Sequence, residues 1–289
     1  MTTLNCSNNA IKSLSAEASG MWENIVHFNA DDNLIDRLPE HVNKWHQLKY
    51  ISMRKNKLSV LPEAFGNLFK LTELHFANNS IKSLGKQMGM LLSVHIADFS
   101  NNKLQELPTE FFRMTAIENL YLSNNKILYV PMNIQKLKAL KTLDLTHNDL
   151  SELPSEICDL VNLTSIKIAH NHISRLPTRI CNLPNLQRCE IQFNNFDDKP
   201  SEFKFMNTVH HHNMSFNPFE GRIKKIVHRD AVAKVSRIVK IISHIIDSLG
   251  ITYSPTLCSF FSPRPRSLRQ MASRSCSSQT LPISKSRST

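Results

Sequence analysis

The sequence predicts an α/β solenoid, in which a parallel sheet lines the concave side and short helices or 3₁₀ turns form the convex side. Three observations carry this prediction. An asparagine recurs at Asn9, Asn33, Asn56, Asn79, Asn102, Asn125, Asn148, Asn171, Asn194 and Asn217, with a first interval of 24 residues and eight of 23. Apolar residues hold fixed offsets around it. A proline closes most of the units, at Pro39, Pro62, Pro108, Pro131, Pro154, Pro177 and Pro200. Self-similarity at such a period marks units that cannot bury their apolar face alone and do so by stacking.

The offsets justify each element in turn. Around Asn125 the apolar residues are Ile117, Leu120, Leu122, Ile127, Val130, Ile134 and Leu137. Around Asn148 they are Leu140, Leu143, Leu145, Leu150, Leu153, Ile157 and Leu160, and the unit of Asn171 repeats the set. Leu120-Tyr121-Leu122 alternates with period two and reads as a short strand, with neighbours about 4.8 Å away in a parallel sheet. From Val130 to Leu137 the apolar spacing is three and four residues, which suits a short helix or a 3₁₀ turn. Proline at the start of that segment removes no hydrogen bond that the segment would have made. Some units depart from the pattern. Gly85 replaces the proline of the fourth unit, whose convex segment is expected to be looser. Lys199 stands where an apolar residue is expected, and the tenth unit stops after its strand half. Met1 falls on a core position.

This pattern resembles the leucine-rich repeat, L-x-x-L-x-L-x-x-N-x-L-x-x-L-P-x-x-I-x-x-L, over residues 1–220. The resemblance implies a horseshoe of about ten repeats. It also implies an asparagine ladder, in which each buried amide bonds backbone groups of its own and the adjacent coils. The proline-bearing unit is similar to the intracellular Ras-group proteins, including the Shoc-two-like scaffolds and the Ras suppressor type. That similarity implies a non-enzymatic scaffold or adaptor in intracellular signalling, with a small GTPase or a phosphatase subunit as protein partner. No basic-Val-x-Phe phosphatase docking motif stands in the sequence.

Equivalent positions stack, so outward strand residues form columns on the concave face. Four residues before each Asn they read Asn5, Asn29, Ser52, His75, Asp98, Tyr121, Asp144, Lys167, Glu190 and Asn213. Six before, they include Tyr50, Glu73, Ile96, Asn119, Arg188 and His211. One or two before lie Asp31, Asp32, Arg54, Lys55, His147, His170, Phe193 and Phe216. The candidate partner-binding residues are Tyr50, Arg54, Lys55, His75, Asp98, Tyr121, Asp144, Lys167, Arg188, Glu190 and Phe193. Aromatic and charged side chains on a rigid sheet suit interface hot spots. For any one of them a solvated polar surface is the plainer reading.

No catalytic residue, cofactor or metal is expected, and no small-molecule substrate. Glycine is scarce, 6 in all, which argues against a glycine-rich nucleotide site. His228-Arg229-Asp230 copies a kinase tripeptide, but Val235 stands where the partner Asn belongs. Gly85-Lys86 lacks the preceding glycine of a phosphate loop. In His210-His211-His212 alternate side chains point to opposite faces, and His212 falls on an inward core position. His147 and His170, one unit apart, are placed to share an ion, yet no Cys or carboxylate completes the site. A polar ledge is the other reading. Cys6 and Cys189 occupy inward strand positions and read as small core residues. Cys158 and Cys181 hold the same repeat position. Free thiols are expected, because Met1-Thr2-Thr3-Leu4-Asn5-Cys6 shows no secretory signal. A cytoplasmic location is expected on the same ground.

The charge is uneven. Residues 1–220 hold 22 Lys+Arg and 22 Asp+Glu, whereas residues 221–289 hold 13 and 2, so the whole excess of +11 lies in the latter. Ile223, Ile226, Val227, Val235, Ile238, Ile242, Ile245, Ile246 and Leu249 recur at helical spacing, with basic residues between them. The segment 221–250 therefore reads as an amphipathic capping helix, or as a basic helix for an anionic membrane surface. Residues 251–289 are rich in Ser, Arg and Pro and are expected to be disordered. A weaker alternative function is membrane or nucleic-acid association through residues 222–289.

Overall fold

The computed structural model describes residues 1–15 and 20–221. The chain divides into two compact units, Met1–Val227 and His228–Thr289, and the second lies outside the described residues. The expected helix over 221–250, beyond its first residue, and the expected tail over 251–289 lie outside them too. So does His228-Arg229-Asp230.

Each repeat contributes one three-residue strand. These are β1 (Thr3–Asn5), β2 (His27–Asn29), β3 (Tyr50–Ser52), β4 (Glu73–His75), β5 (Ile96–Asp98), β6 (Asn119–Tyr121), β7 (Thr142–Asp144), β8 (Ser165–Lys167), β9 (Arg188–Glu190) and β10 (His211–Asn213). They form one parallel sheet in chain order. The register joins equivalent positions: Leu74 pairs with Ala97, Ala97 with Leu120, and Leu120 with Leu143. The predicted strand half is therefore present in every unit.

The convex half resolves the choice left open by the sequence. Among the described residues eight segments are 3₁₀ helices, including Glu40–Lys44, Glu63–Asn67, Met132–Lys136 and Ser155–Asp159. A 3₁₀ turn rises faster per residue than an α-helix and spans the same chain length in fewer residues. The preceding proline sits just outside the turn, at φ near −65°, and its carbonyl accepts the first N–H, as Pro131 does from Ile134 at 3.0 Å. Gly85 adopts the same extended conformation, φ −77° and ψ 165°, before an ordinary turn at Lys86–Met90. The expected loosening is absent, for a visible reason. The Gln87 side chain folds over Gly85 into space that a Cβ would fill, and its Nε2 donates to the carbonyls of Leu61 and Pro62 at 3.1 and 3.3 Å. A side-chain amide thus ties this coil to the one before it.

One continuous core runs from Ile25 to Phe219. Leu120, Leu143 and Ile166 are 0–1% exposed, as the repeat predicts. Beside the leucines lie aromatic contacts between coils. Phe76 and Phe99 stack with centroids 5.8 Å apart at 9°, and Phe65 meets Phe76 edge-on. Trp22, Phe28 and Trp45 cluster near the first coils with centroids 5.1–5.7 Å apart. Two inward assignments fail at the ends. Met1 is 72% exposed. His212 is exposed although it pairs in register with the buried Cys189, and it tilts against Phe203.

The asparagines form the ladder. Asn125 is typical: its Nδ2 donates to the carbonyls of Phe99, Leu122 and Ser123 at 3.0, 3.0 and 3.3 Å, and its Oδ1 accepts the Leu104 N–H at 3.0 Å. One amide thus satisfies backbone groups in two coils that have no strand partner at the corner. Asn9 is exposed, and its side chain bonds only within its own coil, to the carbonyls of Cys6 and Ser7.

Candidate functional site

The strand period places every second residue on the outer sheet face, and the parallel register lines these residues into columns. At five strand ends the polar residue is not free, however. Asp98 accepts the Ser100 N–H at 3.1 Å, Asp144 that of Thr146 at 3.0 Å, and Asn29 that of Asp31 at 2.9 Å. Asn5 and Asn213 do the same for Ser7 and Ser215. These are Asx turns that steer the chain out of the strand. They explain why this column is rich in Asp and Asn, and they commit part of each side chain to the backbone.

The candidate residues near the N-terminal end join into one network. An Nη of Arg54 lies 2.8 Å from His75 Nδ1 and 3.6 Å from the Asp98 carboxylate. A guanidinium only donates, so Nδ1 accepts and the imidazole proton sits on Nε2. That proton points to Glu73 Oε2 at 3.1 Å. Tyr50 packs against the His75 ring at 5.2 Å. Asp31 accepts both the Ser52 hydroxyl and the Arg54 N–H at 2.6 Å. His75 was expected on an open face but is buried, 8% exposed, as is Ser52. Their neighbours' side chains close over them. His75 therefore orients Arg54 and offers little surface of its own.

The remaining candidates do not converge with this group but follow along the sheet. Tyr121 stands half-exposed between Asp98 and Asp144, and its hydroxyl makes no hydrogen bond among the described residues. Lys167 lies 3.8 Å from Asp144, Arg188 3.3 Å from Glu190, and Lys55 3.1 Å from Asp32. Every basic candidate thus has an acidic neighbour on the same face. Exposed pairs of this kind contribute roughly 0–1 kcal/mol each. Their larger effect is to leave the face electrically balanced.

A feature invisible in the sequence lies at the edge of the sheet. In each of the ten coils the residue before the ladder Asn has φ of 51–59°. The position is Asn, Asp or Lys in the first six coils, then His147, His170, Phe193 and Phe216. This left-handed conformation costs roughly 1–2 kcal/mol in a residue with an ordinary side chain, and less in Asn or Asp. The four rings stack face to face, with centroids 3.8, 4.1 and 4.3 Å apart and planes within 14°. Phe193 is 40% and Phe216 65% exposed. Sequence reasoning had placed Phe193 among the candidates and treated His147 and His170 as a ledge. The shared position 23 residues apart was the available signal for the stack.

Burial first, and the His147 ring second, hold His170 below the ordinary histidine range. The folded chain thus prefers the neutral imidazole. This group leaves stability unchanged above the ordinary range and lowers it as the pH falls through that range. In a proton NMR titration His170 is expected to titrate below a free histidine. His147→Asn is expected to raise it only part of the way, since burial remains; an unshifted value in the parent protein would contradict the stacked geometry.

Among the described residues no three His, Cys, Asp or Glu side chains are grouped to hold a metal ion. Cys6, Cys158, Cys181 and Cys189 are free thiols. Cys189 is fully in the core, where burial pushes its thiol up to about 12; Cys158 rises to about 11 for the same reason. Cys6 is only half-buried, because it belongs to the first coil. No helix among the described residues is long and apolar enough to cross a membrane.

Comparison with known proteins places this geometry. A family model described as a leucine-rich repeat region matches residues 119–286, and one described as leucine rich repeat matches residues 47–68. No curated protein matches. Among solved structures, a leucine-rich repeat protein of Leptospira interrogans is 25% identical with a TM-score of 0.66, over 74% of this chain and 60% of that one. The plant peptide hormone receptor RGFR1, in complex with RGF2, is 24% identical with a TM-score of 0.68, over 75% of this chain and 36% of the receptor. An internalin, InlF, of Listeria monocytogenes is 20% identical with a TM-score of 0.66, over 74% of this chain and 61% of that one. The chain thus spans between about a third and three fifths of these proteins' lengths. The last two likenesses concern the fold alone.

Proposed function

The chain belongs to the leucine-rich repeat family, and from that premise we propose that it is a non-enzymatic adaptor that captures a protein partner on its sheet face. The fold commonly serves protein–protein interaction. The observation that carries the reading is the half-exposed Tyr121, with Tyr50 and Arg54 on one side and Lys167 and Arg188 on the other, along one parallel sheet. Side chains that are ordered before binding lose little freedom on association. The setting we propose is cytoplasmic signalling, with a small GTPase or a phosphatase subunit as partner. It is supported by the resemblance of the proline-bearing unit to Ras-group scaffolds. We further propose that residues 1–220 are the binding body and 221–289 a basic appendage.

Affinity capture with mass spectrometry tests this. Tyr121→Ala removes an exposed ring without touching the core, and is expected to weaken capture at least about tenfold if Tyr121 is a hot spot. Because the candidate charges are already paired, capture is expected to change little with salt. Deleting 251–289 is expected to leave it intact. The uneven charge of the chain supports a second reading, in which the basic segment binds an anionic membrane or nucleic acid. That reading predicts the reverse: capture lost with the deletion, steeply dependent on salt and indifferent to Tyr121→Ala.

A further inference from the structure

We propose that the open face of Phe216, with the carboxylate of Glu220 at its base, receives an arginine side chain of the protein partner. Three observations meet at this point. The ring stack from His147 to Phe216 advances by one ring per coil, at 3.8–4.3 Å. Inner rings have both faces covered by their neighbours. Phe216 is the last, and among the described residues no ring covers its far face; it is 65% exposed. A fifth planar group fits there at the spacing the ladder already uses.

The second observation is the backbone. Phe216 holds φ of 59°, a conformation that other coils fill with Asn8, Asn78, Asn101 and Asn124. A phenyl ring in that conformation is not required by local geometry, and it covers one face of Phe193 while its own far face stays open. Strain retained at an exposed position points to use of the side chain. The third is charge. Glu220 Oε2 accepts the Phe216 N–H at 3.2 Å, so its carboxylate is anchored at the base of the ring. Beside it, the Ser215 hydroxyl is turned to Asn213 at 2.6 Å, and both are neutral.

A planar cation answers all three. Guanidinium stacks flat on an aromatic face, is weakly hydrated, and pairs with a carboxylate in its own plane. An uncharged ring would stack but would desolvate Glu220 without compensation. A lysine ammonium is a strongly hydrated point charge that does not extend a stack of planes.

The inference rests on the protein-binding reading above and names one group of the partner. The probe is N-acetyl-arginine amide, titrated into the full chain and followed in NMR through the Phe193 ring and the Glu220 backbone amide, reporters that the variants below retain. N-acetyl-lysine amide and N-acetyl-citrulline amide are the comparisons, since citrulline keeps the plane and loses the charge. A saturable shift is expected with the arginine derivative, roughly fivefold weaker with either comparison. Phe216→Asn, a residue the position already accepts elsewhere, is expected to abolish binding, and Glu220→Gln to weaken it several-fold. Equal response to citrulline, or binding that survives Phe216→Asn, overturns the inference. If the arginine response is missing while capture still depends on Tyr121, this inference alone falls. If the response is present while capture ignores Tyr121, the sheet-face reading falls instead.

Discussion

Asn125→Ala is expected to lower the unfolding free energy by about 2–3 kcal/mol, read as a shift of the urea midpoint at unchanged slope. The substitution removes four hydrogen bonds at once. It leaves the buried N–H of Leu104 without its acceptor, whereas the carbonyls of Phe99 and Leu122 each lose one amide donor and keep another, from Asn102 and Asn148. The unsatisfied buried N–H costs about 1–3 kcal/mol, at a site where Asn125 is only 8% exposed. The loss falls on two neighbouring coils, because the amide bridges them. In a solenoid the damage spreads only through nearest-neighbour interfaces, so exchange of amide protons is expected to rise around coils five and six first. Asn9→Ala is the control: Asn9 is exposed and its side chain bonds only within its coil, so under about 1 kcal/mol is expected. Equal effects at the two positions would show that the buried ladder is not what holds the coils in register.

Phe99→Ala has the second large effect, about 3–5 kcal/mol. Phe99 is fully buried and stacks on Phe76 at 9°, so truncation opens a cavity between two coils and strips one face of a second ring. Phe99→Leu separates ring from repeat. The next coil carries Leu122 at the same position, so the fold accepts that side chain there, and the loss is expected to stay below about 1.5 kcal/mol. Differential scanning calorimetry of the two variants measures the contrast. A leucine variant as unstable as the alanine variant would mean that the Phe76–Phe99 stack, rather than filled volume, stabilises this part of the core.

How much of this was legible depends on which neighbours a residue answers to. Leu120, Leu143 and Ile166 were readable as core because burial at their position needs only an apolar side chain and a flanking coil on each side. Met1 and His212 hold inward repeat positions in the first and the last described coil and are exposed. Gly85 was read as a weak point from its identity alone; the Gln87 amide that secures it acts across 25 and 26 residues. His75 was read as a surface residue, yet it is buried beneath Tyr50 and Arg54, one coil away. The columns of Asp98 and Asp144 were readable, but their role as turn-forming acceptors was not separated from partner binding. The left-handed residue in each coil was not readable at Lys55, Phe193 or Phe216, whose side chains give no preference for that conformation.

The sequence by itself determined the period, the inward set, the asparagine positions and the columns facing outward. Those follow from side-chain polarity repeated at a constant spacing, and stacking turns constant spacing into contact. Tertiary structure alone decided that the convex segments are 3₁₀ turns, that the charged candidates are paired along the sheet, and that His147, His170, Phe193 and Phe216 form one stack ending in an open face. Those depend on which side chains lie within a few ångströms after stacking, and on backbone dihedrals that the closing of each corner imposes whatever residue stands there.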